Sequence, residues 1–140
     1  MAELVGSWSK DPSTQVGAVI TKHNRIVSVG FNGYPHVISD SAGTDERDMK
    51  YLKTLHAEEN AILFAKRDLD NCEIWVTHFP CPNCAAKIIQ TGIKAVHCPE
   101  QTEDFLSRWG DKIQVSQGMF EEAGVEVDWL PLNDLNLKDS

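Results

Sequence analysis

Two short motifs, His56-Ala57-Glu58 and Pro80-Cys81-Pro82-Asn83-Cys84, constrain the fold most strongly. Both fall at predicted strand-to-helix junctions, and the two helix starts must lie side by side if one imidazole and two thiolates are to bind one metal ion. A zinc ion with three protein ligands keeps its fourth position for water, whose pKa it lowers toward about 7. Glu58 then lies close enough to move protons without being a ligand.

The spacing of the cysteines suits a metal site. Cys81 and Cys84 lie three residues apart at the start of a predicted helix, so both sulfurs lie on the same side. Free N–H groups and the positive end of the helix dipole favour their thiolate forms there. The competing interpretation is a structural zinc site, which is normally closed by four ligands. Its candidate fourth ligands are Cys72, Cys98, His78 and His97, although cysteines beside predicted strands are more often plain buried thiols.

The ordered pair of motifs favours catalysis over a structural role. Either half alone arises by chance, and a His-Ala-Glu without a second C-x-x-C is unlike a zinc finger or zinc ribbon. The pattern H-x-E followed by P-C-x-x-C is typical of zinc-dependent nucleobase deaminases. We therefore predict His56, Cys81 and Cys84 as zinc ligands and Glu58 as the catalytic carboxylate.

Alternating strand and helix patterns predict an α/β fold. The β-branched stretches Val16–Thr21 and Ile26–Phe31 predict a hairpin, and Pro35–Met49 predicts a loop over the site. The other predicted elements are the helices Leu55–Lys66, Pro82–Gln90 and Ile113–Ala123 and the strands Glu73–His78, Ala95–Cys98 and Val125–Leu130. Their order, β-β-α-β-α-β-α-β, predicts a three-layer α/β/α sandwich around one mixed five-stranded sheet.

Composition limits the other classes of function. A chain of 140 residues with 41% hydrophobic residues suits one compact domain, which we place at 1–130, with a polar tail at 131–140. The net charge of −8 disfavours nucleic acid as a partner, because phosphates must be neutralised by Lys and Arg. The sequence shows no apolar run long enough for a membrane span and no secretory signal. Four cysteines, two of them in the C-x-x-C, fit a metal site in a reducing cytoplasm.

Beyond the zinc motifs, several segments carry a family resemblance that extends from about Ser9 to Val127. The chain resembles deoxycytidylate (dCMP) deaminases of the zinc-dependent cytidine deaminase superfamily. The matching segments are Ser9–Ile20, Gly30–Pro35, His56–Ile62, Gly92–Lys94 and Ala123–Val125. The first two distinguish these enzymes from most other members of the superfamily.

The resemblance implies a reaction and a role for each matched residue. It implies hydrolysis of dCMP to dUMP and ammonia, a step toward thymidylate. A zinc-bound hydroxide would attack C4 of the base, while Glu58 would carry protons to N3 and to the leaving amine. Asn32 would contact the sugar hydroxyl, although turn formation is its alternative role. The backbone at Ala57 and the Pro80 carbonyl would read the cytosine edge.

Contacts to the phosphate and to effectors are also implied by the resemblance. Lys10, Ser13 and Thr14 are candidates for the 5′-phosphate, with a solvated turn as the alternative. Related enzymes are often hexamers that dCTP activates and dTTP inhibits, with Mg²⁺ bridging the triphosphate. The implied effector or interface residues are Gly30, Phe31, Gly33, Phe64 and Arg67. For Phe64 the alternative is the hydrophobic core, and for Arg67 it is a helix C-terminus.

The sequence departs from the family pattern in three places. The chain begins at Met1-Ala2-Glu3-Leu4, so we expect the usual first helix to be short. The segment Pro35–Leu55 contains His36 but no cysteine, which argues against the second zinc of some relatives. Gln101 stands near the position of a usual tyrosine, so Phe105 or Trp109 is the candidate replacement for its aromatic contact.

Two alternative functions stay open at this stage. One is deamination of another base, in cytidine, dCTP or tRNA, because substrate choice depends on the pocket rather than on the zinc chemistry. The other is a zinc-stabilised nucleotide-binding module without turnover. The free carboxylate of Glu58 argues against the second alternative, since binding alone does not require it.

Overall fold

A mixed five-stranded sheet organises the chain, as the sequence predicts. The computed structural model describes residues 1–11, 14–35 and 54–131. The strands lie in the order β2-β1-β3-β4-β5, with β1 antiparallel to both β2 and β3, and with β3, β4 and β5 parallel. The elements in chain order are α1 (Ala2–Gly6), β1 (Gly17–Lys22), β2 (Arg25–Phe31), α2 (Ala57–Ala65), β3 (Glu73–Val76), α3 (Pro82–Gln90), β4 (Ala95–Pro99), α4 (Glu103–Ala123) and β5 (Glu126–Leu130).

The hairpin of β1 and β2 confirms the first predicted strand pair. Its turn residues His23 and Asn24 have φ of 52° and 62°, the left-handed conformation that tight two-residue hairpins require. The first four residues of β1 are all buried. This strand therefore lies inside the fold, with both of its faces covered.

Two glycines show that helices cover opposite faces of the sheet. A Cβ on Gly17 would lie 1.9 Å from the carbonyl oxygen of Ala2 in α1, whereas a Cβ on Gly30 would lie 2.4 Å from the carbonyl oxygen of Ala57 in α2. Gly17 pairs with Phe31, the neighbour of Gly30, and neighbouring strand residues point to opposite faces. Helices α1 and α2 thus form the outer layers of a three-layer sandwich, which confirms the predicted fold class.

The other two helices join the α2 layer. Helix α3 packs against both α2 and α4, as expected when successive right-handed crossovers connect strands that advance in one direction across a sheet. The core lies between this layer and the sheet. Its aromatic centre is Phe79, whose ring stacks on Trp129 at 4.8 Å and meets Phe120 edge-on at 5.8 Å. The residue directly before the second motif, Phe79, is therefore buried and packed in the core.

Helix α4 differs most from its prediction. The predicted start at Ile113 is wrong, because the helix begins at Glu103. The side chain of Thr102 caps it by accepting a hydrogen bond from the N–H of Phe105 at 3.2 Å, and two acidic residues follow in the first turn. The buried residues of α4 begin at Ile113, so apolar periodicity marks only its second half.

The remaining boundaries agree with the predictions to within a few residues. Helix α2 begins at Ala57, so His56 is its N-cap and not part of its first turn. Helix α1 has five residues, so it is as short as predicted. Most of the predicted loop Pro35–Met49 and of the tail 131–140 lies outside the described residues. Within the described ranges, no helix combines the length and the apolar character that crossing a membrane requires.

Candidate active site

One imidazole and two thiols meet where α2 and α3 begin. His56 is the N-cap of α2 and Cys81 the N-cap of α3, and Cys84 lies in the first turn of α3. The Nδ1 atom of His56 lies 3.1 Å from the Sγ of Cys84 and 3.6 Å from the Sγ of Cys81, and all three ligand atoms lie within 4.8 Å of one another. Tetrahedral zinc, with bonds of about 2.0–2.3 Å, separates its ligand atoms by roughly 3.5–3.8 Å. The three predicted ligands therefore fit one zinc ion.

The electrostatics of the two cysteines also favour metal binding. A hydrogen bond from the Cys84 thiol lowers the pKa of Cys81 to about 4, and the same bond raises the pKa of Cys84. This hydrogen bond therefore favours the thiolate form of Cys81. A thiolate is the form of cysteine that zinc binds.

The four alternative ligands lie elsewhere. Across residues 1–11, 14–35 and 54–131, the group of side chains that could hold a metal is His56, Cys81 and Cys84. Cys72 and Cys98 are fully buried in the core. His97 lies between two carboxylates, and the Nδ1 of His78 lies 2.9 Å from the hydroxyl of Thr77. A three-ligand zinc site with an open position suits these described residues better than a closed structural site.

Glu58 lies in the first turn of α2, immediately behind the ligands. Glu58 is 4% exposed and lines a cavity beside the ligands. Burial raises the pKa of Glu58 to about 7, which is the range in which a carboxyl group both accepts and donates protons at neutral pH. The position and the environment of Glu58 match its predicted catalytic role.

Glu59 connects the two helices that carry the ligands. Its Oε1 accepts a hydrogen bond from the backbone N–H of His56 at 2.9 Å, and its Oε2 lies 2.6 Å from the Nζ of Lys87 on α3. Sequence reasoning did not identify this role. The signal was present, since a glutamate three residues after an N-cap is one half of a capping box.

The cavity beside these residues has a volume of about 760 Å³. Among the residues predicted to contact substrate, Thr14, Asn32, Ala57 and Pro80 line it. Lys10 is not among the lining residues, and Ser13 lies outside the described residues. The lining also includes Arg108 and Lys112, which were not predicted as site residues because only the second half of α4 was predicted as a helix.

Asn32 is buried and already bonded within the protein. Its Oδ1 accepts a hydrogen bond from the N–H of Val16 at 2.9 Å, and its Nδ2 donates to the carbonyl of Thr14 at 2.8 Å. A longer contact of 3.5 Å joins Nδ2 to Asp11. Asn32 therefore organises the turn before β1, and the long contact to Asp11 is the weakest of its three bonds.

Aromatic side chains form one wall of the cavity. The rings of His78 and Phe105 lie 5.4 Å apart, and those of Phe105 and Trp109 lie 6.5 Å apart. Both predicted replacements for the usual tyrosine thus reach the cavity. The Nε2 of Gln101 instead donates to the carbonyl of Pro99 at 2.6 Å. Burial lowers the pKa of His78, which favours the neutral form of its ring.

The implied effector residues occupy two regions. Gly30 provides the close approach of β2 to α2 described above, and Gly33 pairs its backbone with Leu55, just before the first zinc ligand. Phe31 lies 6.4 Å from the ring of Trp8. On α2, Phe64 is 57% exposed, which excludes the core alternative for this residue.

Arg67 follows α2 and is exposed. Its Nε donates to the carbonyl of Asp68 at 3.2 Å.

Comparison with known proteins places the chain in a family. The family model for the cytidine and deoxycytidylate deaminase zinc-binding region matches residues 1–100. The chain belongs to this family. The resemblance predicted from the sequence is thereby confirmed, together with the prediction of a zinc-dependent deaminase.

Individual relatives agree with this placement. A protein of Aliivibrio fischeri, named as an uncharacterized deaminase in the luxG 3′ region, is 87% identical over 96% of this chain and 92% of its own length. A probable deoxycytidylate deaminase of Caenorhabditis elegans is 40% identical over 81% of this chain, which spans 60% of that relative. The structure of the dCMP deaminase of cyanophage S-TIM5, solved with dCMP and dUMP, matches with a TM-score of 0.71 and 31% identity. That match covers 92% of this chain and 90% of the phage chain.

Proposed function

We propose that this protein hydrolyses dCMP to dUMP and ammonia. The observation that carries the proposal is the cluster of His56, Cys81 and Cys84 beside a cavity. His56, Cys81 and the buried Glu58 line that cavity. Its volume of about 760 Å³ falls in the usual range for small-molecule sites, about 300–1,000 Å³. The phage relative of known structure binds dCMP and dUMP, which supports the choice of substrate.

The residues of the site have two chemical roles, which are metal binding and proton transfer. Zinc, held by His56, Cys81 and Cys84, would acidify a water molecule and make it a nucleophile near neutral pH. Glu58 would take one proton from the water and deliver it to N3 of cytosine. It would then take the proton of the new hydroxyl group on C4 and pass it to the amino group, which leaves as ammonia as the C4 carbonyl forms. Its burial removes competing solvent, and its pKa of about 7 allows both transfers.

Other residues that line the cavity bind the substrate. The backbone of Ala57 and the carbonyl of Pro80 read the cytosine edge, since both residues are buried and line the cavity. Asn32 contacts the sugar hydroxyl by exchanging its long bond to Asp11 for a shorter one to substrate. Thr14 lies at the same edge of the cavity and contributes to the phosphate site with Lys10 and Ser13.

Regulation and assembly belong to the same proposal. dCTP activates the enzyme and dTTP inhibits it. Gly30, Phe31 and Gly33 would contribute to the effector site, and Mg²⁺ would neutralise part of the charge of the triphosphate there. The enzyme is a hexamer whose subunits contact one another through Phe64 and Arg67, and the exposure of both residues supports this role. It is a cytoplasmic enzyme that supplies dUMP for thymidylate synthesis.

The test is ammonia release from zinc-loaded protein. We expect dCMP to show a higher kcat/KM than deoxycytidine, cytidine, dCTP or tRNA. A better rate with any of these would overturn the substrate assignment, and binding of dCMP without ammonia release would favour a non-catalytic module. The same assay with Mg²⁺ tests regulation: dCTP should raise the rate and dTTP should lower it. A flat response to both nucleotides at millimolar concentration would remove the regulatory claim.

A further inference from the structure

Helix α4 presents two basic side chains to the cavity. Arg108 and Lys112 lie four residues apart, so they share one side of the helix. Both line the cavity. Phe105 lies three residues before Arg108, and Trp109 lies three residues before Lys112. Both aromatic residues are therefore on the same side of the helix, and both also line the cavity. One helical face therefore combines an apolar wall with two cationic groups.

These two residues matter because the rest of the cavity is acidic or neutral. Among its described lining residues, the lysine and arginine side chains are Arg108 and Lys112. The acidic lining residues are Asp11, Glu58, Glu100 and Asp104, and the whole chain carries a charge of −8. A phosphomonoester carries about −1.5 to −2 charges at neutral pH, so it must be held by a local group of cations.

The present partners of both cations are weak enough to exchange. Arg108 pairs with Asp104 one turn earlier, and both side chains are mostly exposed, at 64% and 74%. Such surface pairs contribute little stability. The Nζ of Lys112 lies 5.1 Å from the centre of the Trp109 ring, a contact that leaves its N–H groups available. Both cations can therefore turn to an anion without a large loss.

We propose that Arg108 and Lys112 bind the 5′-phosphate of the substrate and so select a nucleoside monophosphate over a nucleoside. The assignment rests on the proposed function, because it concerns the same cavity. A guanidinium group binds two phosphate oxygens at once, and the ammonium group adds a point charge. Arg108 and Lys112 would add to the Lys10, Ser13 and Thr14 contacts proposed above, of which Thr14 also lines the cavity.

The test compares dCMP with deoxycytidine in the Arg108→Gln and Lys112→Gln variants. Each variant should lower kcat/KM for dCMP roughly 10-fold, the loss expected for one charge-assisted hydrogen bond, mainly through KM. The value for deoxycytidine should not change. Asp104→Asn removes the competing carboxylate, so it should raise kcat/KM for dCMP. Arg25→Gln, which removes an exposed cation on β2 away from the cavity, is the matched control and should have no effect.

The two proposals fail in different ways. Wild-type zinc-loaded protein that releases no ammonia from dCMP contradicts the proposed function itself. An active wild type whose Arg108→Gln/Lys112→Gln double variant keeps its full preference for dCMP over deoxycytidine contradicts only the phosphate assignment. Inhibition constants for dUMP and deoxyuridine provide the same comparison without relying on slow turnover of the nucleoside. Weakened inhibition by dUMP alone would support the assignment.

Discussion

The bridge made by Glu59 provides the sharpest test of how this site is held together. The carboxylate of Glu59 accepts a hydrogen bond from the backbone N–H of His56 and another from the ammonium group of Lys87. Glu59 therefore joins the start of α2 to α3. Glu59→Ala removes both bonds. We expect it to weaken zinc binding although Glu59 is not a ligand, because the two helix starts would no longer be fixed relative to each other.

The size of the effect follows from burial. The Glu59 side chain is 15% exposed and that of Lys87 is 43% exposed, so the ion pair is screened and contributes about 1 kcal/mol. The bond to the backbone of His56 resembles a helix cap and contributes about 1 kcal/mol more. Glu59→Ala should therefore lower the free energy of unfolding by about 2 kcal/mol, and loss of an outer partner should weaken zinc binding roughly 10- to 100-fold.

The assay is a zinc competition titration against a chromophoric chelator, combined with urea unfolding of the zinc-loaded protein. Lys87→Met should lose only the ion pair, and Glu59→Gln should keep an acceptor for the His56 N–H. Each of these two variants should lower the free energy of unfolding by about half as much as Glu59→Ala does. The Glu59→Ala/Lys87→Met double variant should show a coupling energy of about 1 kcal/mol between positions 59 and 87. Glu122→Gln, at an exposed acidic residue near the end of α4, is the matched control.

One result would refute this reasoning. If Glu59→Ala bound zinc as tightly as the wild type and unfolded at the same urea concentration, the bridge would have no role in fixing the ligands. A loss of stability with unchanged zinc affinity would restrict Glu59 to capping α2. That outcome would also require another explanation for the placement of His56.

Two further predictions concern Glu58 and Asn32. Glu58→Gln should keep full zinc content, measured by metal analysis, but lose at least about 100-fold in kcat, the usual contribution of a positioned proton carrier; a fully active variant would contradict its role. Asn32→Ala should lower the free energy of unfolding by about 2–3 kcal/mol in urea, because the N–H of Val16 loses its partner. Unchanged stability would mean that Asn32 acts on substrate alone.

The metal ligands could be predicted from the sequence because their chemistry depends on local spacing. Cys81 and Cys84 share a side of α3 in any helix that starts after Cys81, and Pro82 favours that start. The sheet was predictable for a similar reason, since β-branched runs and turn residues such as Asn24 act over short distances. The start of α2 was predicted at Leu55 and lies at Ala57, because Leu55 pairs with Gly33, a residue distant in sequence.

The wall formed by α4 could not be predicted in the same way. The residues from Glu103 to Lys112 are mostly exposed or half-buried, so they show no apolar periodicity, and only the cap at Thr102 marked the helix start. Which side chains face the cavity depends on the packing of α4 against α3, a tertiary contact. The capping bond of Glu59 has a local signal in the sequence, but its bond to Lys87 joins two different helices and has none.

The chain separates its reactive centre from the wall that faces it. The zinc ligands and Glu58 come from the starts of α2 and α3, whereas α4 contributes no ligand and only lining side chains. Substitutions along the exposed face of α4 can therefore change which molecule is accepted while the reaction itself stays the same. For evolution or for engineering of a new substrate preference, this helix is the part of the site that can vary independently.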